Sequence, residues 1–376
     1  MKALTVLPVA AAIMLACSTP LTKSGLDPKR FDSEADGSKT ALYTLTNDNG
    51  MEVCITNYGG RIVSVMVPGR DGALRDVVLG FDNVEDYFPE NNQTDFGASI
   101  GRYANRINQG RITIDEAEYQ LPRNNFGHCL HGGPAGWQYK VYAVEEATPT
   151  SLRLRMDSPD GDSNFPGNVT ARVTFTLTPD NAIDIAYEAV TDAPTVINMT
   201  NHSYFNLSGN PGGHSITEDL LYINASSFTP VDDTFMTTGE IASVEGTPFD
   251  FRKARRIGDD IDSDDIQIRN GHGYDHNWVL DTACDTGAVA AELYCPETGI
   301  SLRVYTDEPG IQVYAGNFLD GTVTGKGGTV YPLRHAICLE TQHYPDSPNK
   351  KEWPSVVLRP GETYRSHCIY AFGVKD

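Results

Sequence analysis

The sequence predicts an all-β protein, a large antiparallel sheet assembly with very little helix, and three observations carry that expectation. Apolar residues recur with a period of two along most of the chain. The 35 glycines and 22 prolines supply frequent turn signals. No stretch longer than about ten residues keeps an apolar stripe at the helical period.

The sharpest element is a hairpin. Val173, Phe175 and Leu177 alternate with threonines, Pro179-Asp180-Asn181 turns the chain, and Ile183, Ile185 and Tyr187 resume the alternation. The same grammar predicts strands over 40–46, 52–57, 61–67, 152–156, 220–223, 288–294, 302–306 and 356–358. Many short strands between turns mean a large antiparallel sandwich or barrel, and the absence of βαβ units excludes a doubly wound nucleotide fold. No glycine-rich phosphate loop, internal repeat or linker-like stretch interrupts residues 40–376, so these are expected to form a single domain.

The N-terminus reads as an address. Met1-Lys2 precedes an apolar run over 3–15, too short to span a bilayer, and Ala16-Cys17-Ser18 follows where a signal peptidase would cut. Met14-Leu15-Ala16-Cys17 resembles a bacterial lipobox. That implies a signal peptide over 1–16, a lipid on Cys17, and an exported protein held to the bacterial envelope, periplasmic or outer-membrane. The polar stretch that follows predicts a tether over 17–39.

Charge and cysteine usage narrow the partners. With 29 basic against 50 acidic residues the formal net charge is -21, which repels phosphate backbones and argues against nucleic acid. Cys54, Cys129, Cys284, Cys295, Cys338 and Cys368 form no Cys-x-x-Cys pair and mostly lie in apolar runs, so buried free thiols are the default. Nine histidines invite a zinc hypothesis. No His-x-His or His-Glu-x-x-His pair offers two ligands from one element, so the expectation is a metal-free, cofactor-free mechanism.

Four polar islands lie beside apolar β-like runs, as a hydroxyl-rich ligand would require. They are Asn198 to Asn206 with His202, Leu130-His131-Gly132-Gly133, Tyr274-Asp275-His276, and Leu339-Glu340-Thr341-Gln342. Each polar residue also has a non-catalytic reading: Glu340 as an edge-strand residue facing water, His202 as a core histidine, His131 as a turn former. Alternation points His276 away from Asp275, and neither His276 nor His343 is placed in the site.

With Asn57-Tyr58-Gly59-Gly60, Asp76 to Phe81 and Gly101-Arg102-Tyr103-Ala104-Asn105-Arg106-Ile107, these islands make seven ordered motifs. In them the chain resembles the aldose 1-epimerases, or galactose mutarotases, along nearly its whole length after residue 40. The resemblance implies a large antiparallel β-sandwich and interconversion of the α and β anomers of free hexoses such as glucose and galactose. One departure is Gly136-Trp137-Gln138-Tyr139, where the family continues Gly-Phe-Asp-Lys.

Mutarotation needs a base at the anomeric hydroxyl and an acid at the ring oxygen, exchanging roles on reclosure. The resemblance implies Glu340 as the base, His202 as the acid and His131 as a second support for the ring oxygen. It also implies Arg102, Asn105 and Asp275 as ligands of sugar hydroxyls. Arg106 reads equally as a ligand or as a structural ion-pairing arginine. Two competing functions are a hexose-6-phosphate 1-epimerase and a non-catalytic sugar-binding lipoprotein. The first needs a cationic patch for the phosphate, and the second needs no acid–base pair.

Overall fold

The predicted hairpin is present in the computed structural model, which describes residues 20–375. Val169–Leu177 and Ala182–Thr191 pair antiparallel with Phe175 opposite Ile185 and Val173 opposite Tyr187. All four side chains are buried. Asn181 closes the turn at φ 62°, a left-handed conformation that asparagine tolerates better than most residues.

These strands belong to a nine-stranded sheet. Its order is Ala143–Ala147, Ser151–Ser158, Val169–Leu177, Ala182–Thr191, Tyr364–Val374, Ile300–Thr306, Ala291–Tyr294, Leu220–Ile223 and Arg255–Arg256. A six-stranded sheet runs Tyr204–Phe205, Ile337–Gln342, Gly310–Tyr314, Asp275–Val279, Ser227–Thr229 and Ala242–Ser243. A four-stranded sheet comprises Leu42–Thr46, Glu52–Thr56, Arg61–Pro68 and Leu74–Asp76. Side chains of all three meet in one buried apolar cluster, with Val53 and Val65, Val173 and Phe175, and Trp278, Val313 and Leu339 among its members. Such interdigitated layers are the sandwich that the two-residue period predicts.

Among the described residues one α-helix is present, the six-residue Ile266–Gly271. Asp265 caps it by accepting from Gln267 N–H, and His272 ends it in the left-handed region at φ 56°. No helix among the described residues is long and apolar enough to cross a membrane. Cys54, Cys129, Cys295, Cys338 and Cys368 are buried free thiols, while Cys284 is exposed.

The expected tether over 17–39 needs correction where it is described. Pro28–Phe31 form a 3-10 turn capped by Asp27, and Glu34–Ala35 pairs with Ser38–Lys39. Leu26 and Phe31 are buried against Leu79, Phe81 and Val84. Lys23 N–H donates to Glu52 at 2.6 Å, and Thr40 Oγ1 donates to Phe31 O at 2.7 Å. Two apolar side chains in a polar, aperiodic segment suffice to dock it. The expected signal peptide and Cys17 lie outside the described residues.

Candidate active site

A strand presents alternate side chains to opposite faces, and the six-stranded sheet uses this to separate chemistry from core. Asn277 pairs with Gln312 and Gln312 with Glu340, while Asp275 pairs with Tyr314 and Tyr314 with Cys338. These residues share one face. The intervening Trp278, Val313 and Leu339 point into the core. His276 is also on the core side, its ring 4.6 Å from that of Phe249, as the alternation predicts.

The chain then returns above the polar face. Thr200–His202 pairs with Ala98–Ile100, with His202 opposite Ala98, and Tyr204 pairs with Cys338. The 105–131 region supplies the rest. Asn105, Arg106, Asn125, Phe126, Leu130 and His131 join His202, Asp275 and Glu340 around a cavity of about 320 Å³. That is near the lower bound of small-ligand sites, roughly 300 Å³. Tyr204, Tyr314 and Phe318 form its apolar wall. A separate cavity of about 390 Å³ lies between residues 24–30 and 326–331 and contains no such acid–base pair.

Backbone geometry fixes the histidines. His131 has φ 51°; its N–H donates to Asn105 O at 3.1 Å, and its Nδ1 accepts from Asn105 N–H at 3.1 Å. With Nδ1 accepting, the neutral ring carries its hydrogen on Nε2 and acts as a donor there. Gly132 follows at φ 78°, and a Cβ there would stand 2.2 Å from Gly101 O, so the motif glycine permits a close backbone crossing. Trp137, from the segment that departs from the family pattern, packs against Gly101 with no room for a Cβ between them. Gln138, from the same segment, donates from Nε2 to His131 O at 3.2 Å and so buttresses the histidine.

His202 Nε2 is 3.5 Å from Glu340 Oε1, too long for a strong hydrogen bond. Among the described residues neither His202 Nδ1 nor Glu340 Oε2 has a hydrogen-bond partner. Burial dominates both groups. It pushes His202 down to about 3 and Glu340 well above the carboxylate range, the latter reinforced by Asp275 and Asp95 and opposed by Arg106. Both shifts favour the uncharged forms, a neutral imidazole beside a protonated carboxyl. An ionised Glu340 and a protonated His202 hold the same number of protons, one transfer away. His131 is also lowered, by burial and then by the adjacent His202, whose ring centroid is 5.1 Å away.

Asp275 accepts from Gln312 Nε2 at 2.6 Å, and burial raises its pKa against the pull of Arg106 and Gln312. Arg106 donates from Nη2 and Nε to Asn125 Oδ1 at 2.9 and 3.2 Å, and its guanidinium carbon stands 4.9 Å from the Phe235 ring centroid. A carboxylate, an amide and a guanidinium therefore converge on one small space. They can together accept from and donate to several hydroxyls.

The structure brings together five of the six residues singled out from the sequence: Glu340, His202, His131, Asn105 and Asp275. Arg102 is the correction. It does not line the cavity; it is 2% exposed, and its guanidinium donates to the carbonyls of Pro166, Gly167, Ser158 and Pro159 and to the hydroxyls of Ser158 and Thr195. Those acceptors hold the 158–167 loop to the sheet. The arginine in the pocket is Arg106, four residues on.

Sequence reasoning also missed Asp95, Gln312 and Tyr314. Asp95 belongs to no motif, yet its carboxylate lies with His131 and His202, their potential ligand atoms all within 4.8 Å, and burial raises its pKa to about 6. Gln312 and Tyr314 could have been found from a strand pairing with the Asp275 and Glu340 strands, a register that sequence spacing does not supply.

Comparison with known proteins gives a consistent result. The family described as aldose 1-epimerase matches residues 41–371. A galactose mutarotase from Rattus norvegicus is 40% identical over 338 residues, covering 90% of this chain and 95% of its own. An aldose 1-epimerase from Escherichia coli (strain K12) is 39% identical over 339 residues, covering 90% and 96%. Among solved structures, the GalM/aldose epimerase homologue from C. elegans superposes with a TM-score of 0.81 at 30% identity, covering 90% of this chain and 100% of that one. Galactose 1-epimerase from Lactobacillus acidophilus NCFM gives 0.79 at 30% identity, covering 92% and 97%.

Proposed function

The chain belongs to the aldose 1-epimerase family and is an isomerase that interconverts aldose anomers, and from this premise we propose how its pocket does so. The observation that carries the proposal is the buried His202–Glu340 pair, 3.5 Å apart in a hexose-sized cavity. The pair shares one proton, so it offers one acid and one base whichever partner holds it.

Glu340 serves the anomeric hydroxyl and His202 the ring oxygen. Sugar hydroxyls and Arg106 stabilise the Glu340 carboxylate, and the pair's proton passes to His202. Glu340 then takes the proton of the anomeric hydroxyl as His202 gives its own to the ring oxygen. The C1–O5 bond breaks and an aldehyde forms. After rotation about C1–C2, the ring hydroxyl adds to the other aldehyde face, returning its proton to His202 while Glu340 protonates the new anomeric oxygen. His131 Nε2–H steadies the oxygen on which charge develops. Asp275 accepts from the sugar, and Asn105 and Arg106 donate to it.

The substrate is a free hexose, with galactose and glucose the first to test, since relatives bear the name galactose mutarotase. Three carboxyl groups, Asp95, Asp275 and Glu340, face one guanidinium in the pocket lining. That balance disfavours a phosphorylated sugar. The decisive experiment is polarimetry of freshly dissolved α-D-galactose and α-D-glucose with and without the protein. A relaxation rate equal to the spontaneous one for both sugars would sink the proposal.

We further infer export and lipid attachment at Cys17, from the apolar run over 3–15 that ends in Ala16-Cys17. Residues 40–376 form a single domain in this reading, with the segment before them docked rather than loose. Metabolic lipid labelling of the full chain should be lost in Cys17→Ala. Label retained in that variant, or a mature N-terminus elsewhere, defeats the inference.

A further inference from the structure

A second group of ionisable side chains lies outside the catalytic pocket, where two strands of the nine-stranded sheet end. Leu220 pairs with Tyr294, so Asp219 and Cys295 are one step beyond the paired ends, and His214 reaches them from the preceding loop. His214 Nε2 stands 2.9 Å from Asp219 Oδ1 and 3.8 Å from Cys295 Sγ. The potential ligand atoms of all three residues fall within 4.8 Å of one another. Asp219 and Cys295 are fully buried, and the His214 side chain is 10% exposed.

We propose that His214, Asp219 and Cys295 form a binding site for a divalent transition-metal ion of the zinc class. A tetrahedral ion about 2.0–2.1 Å from nitrogen and oxygen and about 2.3 Å from sulfur holds its ligand atoms roughly 3.3–3.6 Å apart. The spacings of 2.9 and 3.8 Å need adjustments of only a few tenths of an ångström.

Two further observations point to a ligand rather than to a self-satisfied network. Asp219 Oδ2 is buried with no hydrogen-bond partner among the described residues, so the carboxylate has an oxygen to spare for a cation. On the other side of the imidazole, Glu297 Oε2 is 3.0 Å from His214 Nδ1. A carboxylate this close to Nδ1 favours the hydrogen on that nitrogen and leaves the Nε2 lone pair for an ion, the outer-shell placement typical of metal-bound histidines. Glu297 is the exposed member, its side chain 62% accessible, which gives an ion a route in from solvent.

Charge balance supports the same assignment. An Nε2 lone pair and a carboxylate oxygen 2.9 Å apart require a cation between them, either a proton or a metal. Without metal, the imidazolium neutralises Asp219. On binding, the ion displaces the imidazolium proton from Nε2 and the thiol proton from Sγ, and both leave to solvent. A divalent cation then faces one carboxylate and one thiolate. The buried cluster carries no net charge in either state, so filling it adds no uncompensated buried charge.

The neighbouring cation Arg75 is committed to Asp71 at 2.7 Å. Backbone contacts also hold the ligand segments in place: His214 N–H donates to Asn210 O at 2.9 Å, Asn206 Nδ2 donates to His214 O at 2.9 Å, and Cys295 N–H donates to Ile300 O at 3.0 Å. The site escaped the sequence because its ligands come from a loop, the start of one strand and the end of another.

The test uses the full chain, stripped with chelator and titrated with Co²⁺ and then Zn²⁺. Cobalt should bind at a single equivalent with a thiolate-to-metal absorption band. The band should disappear in Cys295→Ser and persist in Cys338→Ala, which removes the thiol nearest the catalytic pair. Zinc should displace cobalt with release of two protons per ion. Glu297→Gln is the safeguard against misfolding, since it changes an exposed residue; it should weaken zinc binding by about 10- to 100-fold while anomer interconversion is retained. No thiolate band in the wild-type protein, a band that survives Cys295→Ser, or unchanged zinc affinity in Glu297→Gln would each overturn the proposal.

Discussion

His202 with Glu340 and His214 with Asp219 are the same two functional groups placed in two regions of one molecule, and their imidazoles are shifted in opposite directions. The first pair is 3.5 Å apart and the second 2.9 Å. In the first, burial without a strong mutual hydrogen bond drives the imidazole down to about 3. In the second, the hydrogen bond to Asp219, helped by Cys295, pushes the imidazole up to about 10. Burial alone therefore does not decide a histidine's charge. Little more than half an ångström separates a pair whose imidazole burial drives down from one whose imidazole a hydrogen-bonded carboxylate drives up.

The largest expected effect breaks the comparison at the catalytic pair. Glu340→Gln and His202→Asn should each lower the anomerisation rate by about 10²–10⁴-fold, the usual contribution of a general acid or base. His214→Gln should leave it unchanged. The double variant Glu340→Gln/His202→Asn should be scarcely worse than the more damaged single, because both residues act in one coupled proton exchange. More than about a tenth of wild-type activity in Glu340→Gln, measured by polarimetry, would remove Glu340 from the chemistry.

A second prediction contrasts two arginines four residues apart in one motif. Arg106→Ala should lower kcat/KM by about 10- to 100-fold, the loss of a charged hydrogen bond worth about 1.5–3 kcal/mol, with folding intact. Asp275→Ala should behave similarly. Arg102→Ala should instead act on stability, by at least about 3 kcal/mol, because it strands several buried carbonyls at once. Urea midpoints and steady-state rates on the same samples separate the two outcomes. A stable Arg102→Ala protein with weakened sugar binding would reverse the placement.

Those arginines also show where legibility ends. The two-residue period specifies sheets because the pleat enforces it, so the predicted hairpin and most strands could be read directly. His202, Glu340, Asp275 and His131 stood out because each sits in a polar island beside an apolar run, and Asn105 because it belongs to a motif that the family resemblance carries. Arg102 and Arg106 share a single motif and chemistry, and only the chain's path sends one beneath the 158–167 loop and the other into the cavity. Asp95 has no motif, and Leu26 and Phe31 are too few to make a period. His214, Asp219 and Cys295 meet through strand register alone. What was missed depends on tertiary contacts that local spacing does not encode.

A smaller effect concerns the stability that the catalytic pair withholds. Glu340 has a folded pKa raised above its unfolded value, so the native state holds the extra proton, and stability falls as pH rises from the ordinary carboxylate range toward the raised value. Glu340→Gln removes that loss. The variant should melt higher than wild type at pH 8, with the gap closing toward pH 4, in calorimetry at matched ionic strength. His202 adds the opposite slope at low pH, since its lowered pKa makes stability fall as pH drops from about 6.5 toward 3. A gap for Glu340→Gln that does not change with pH would mean that the carboxyl is not held protonated by the fold.

The smallest effect tests the second pair in metal-free protein. His214 is raised in the folded state, so its contribution is fully present below the unfolded value of about 6.5 and is lost as pH rises through about 10. The sign matches that of Glu340, so the wild-type profile alone cannot separate them. The difference between wild type and His214→Gln can, because Glu340 is common to both and cancels. That difference should favour wild type at pH 6 and shrink steadily to pH 10. Zinc should reverse the slope, because the metal-bound Nε2 and Sγ carry no protons while the unfolded chain still holds them at pH 6. A constant difference across this range, with or without zinc, would show that His214 is held by packing rather than by the charge of Asp219.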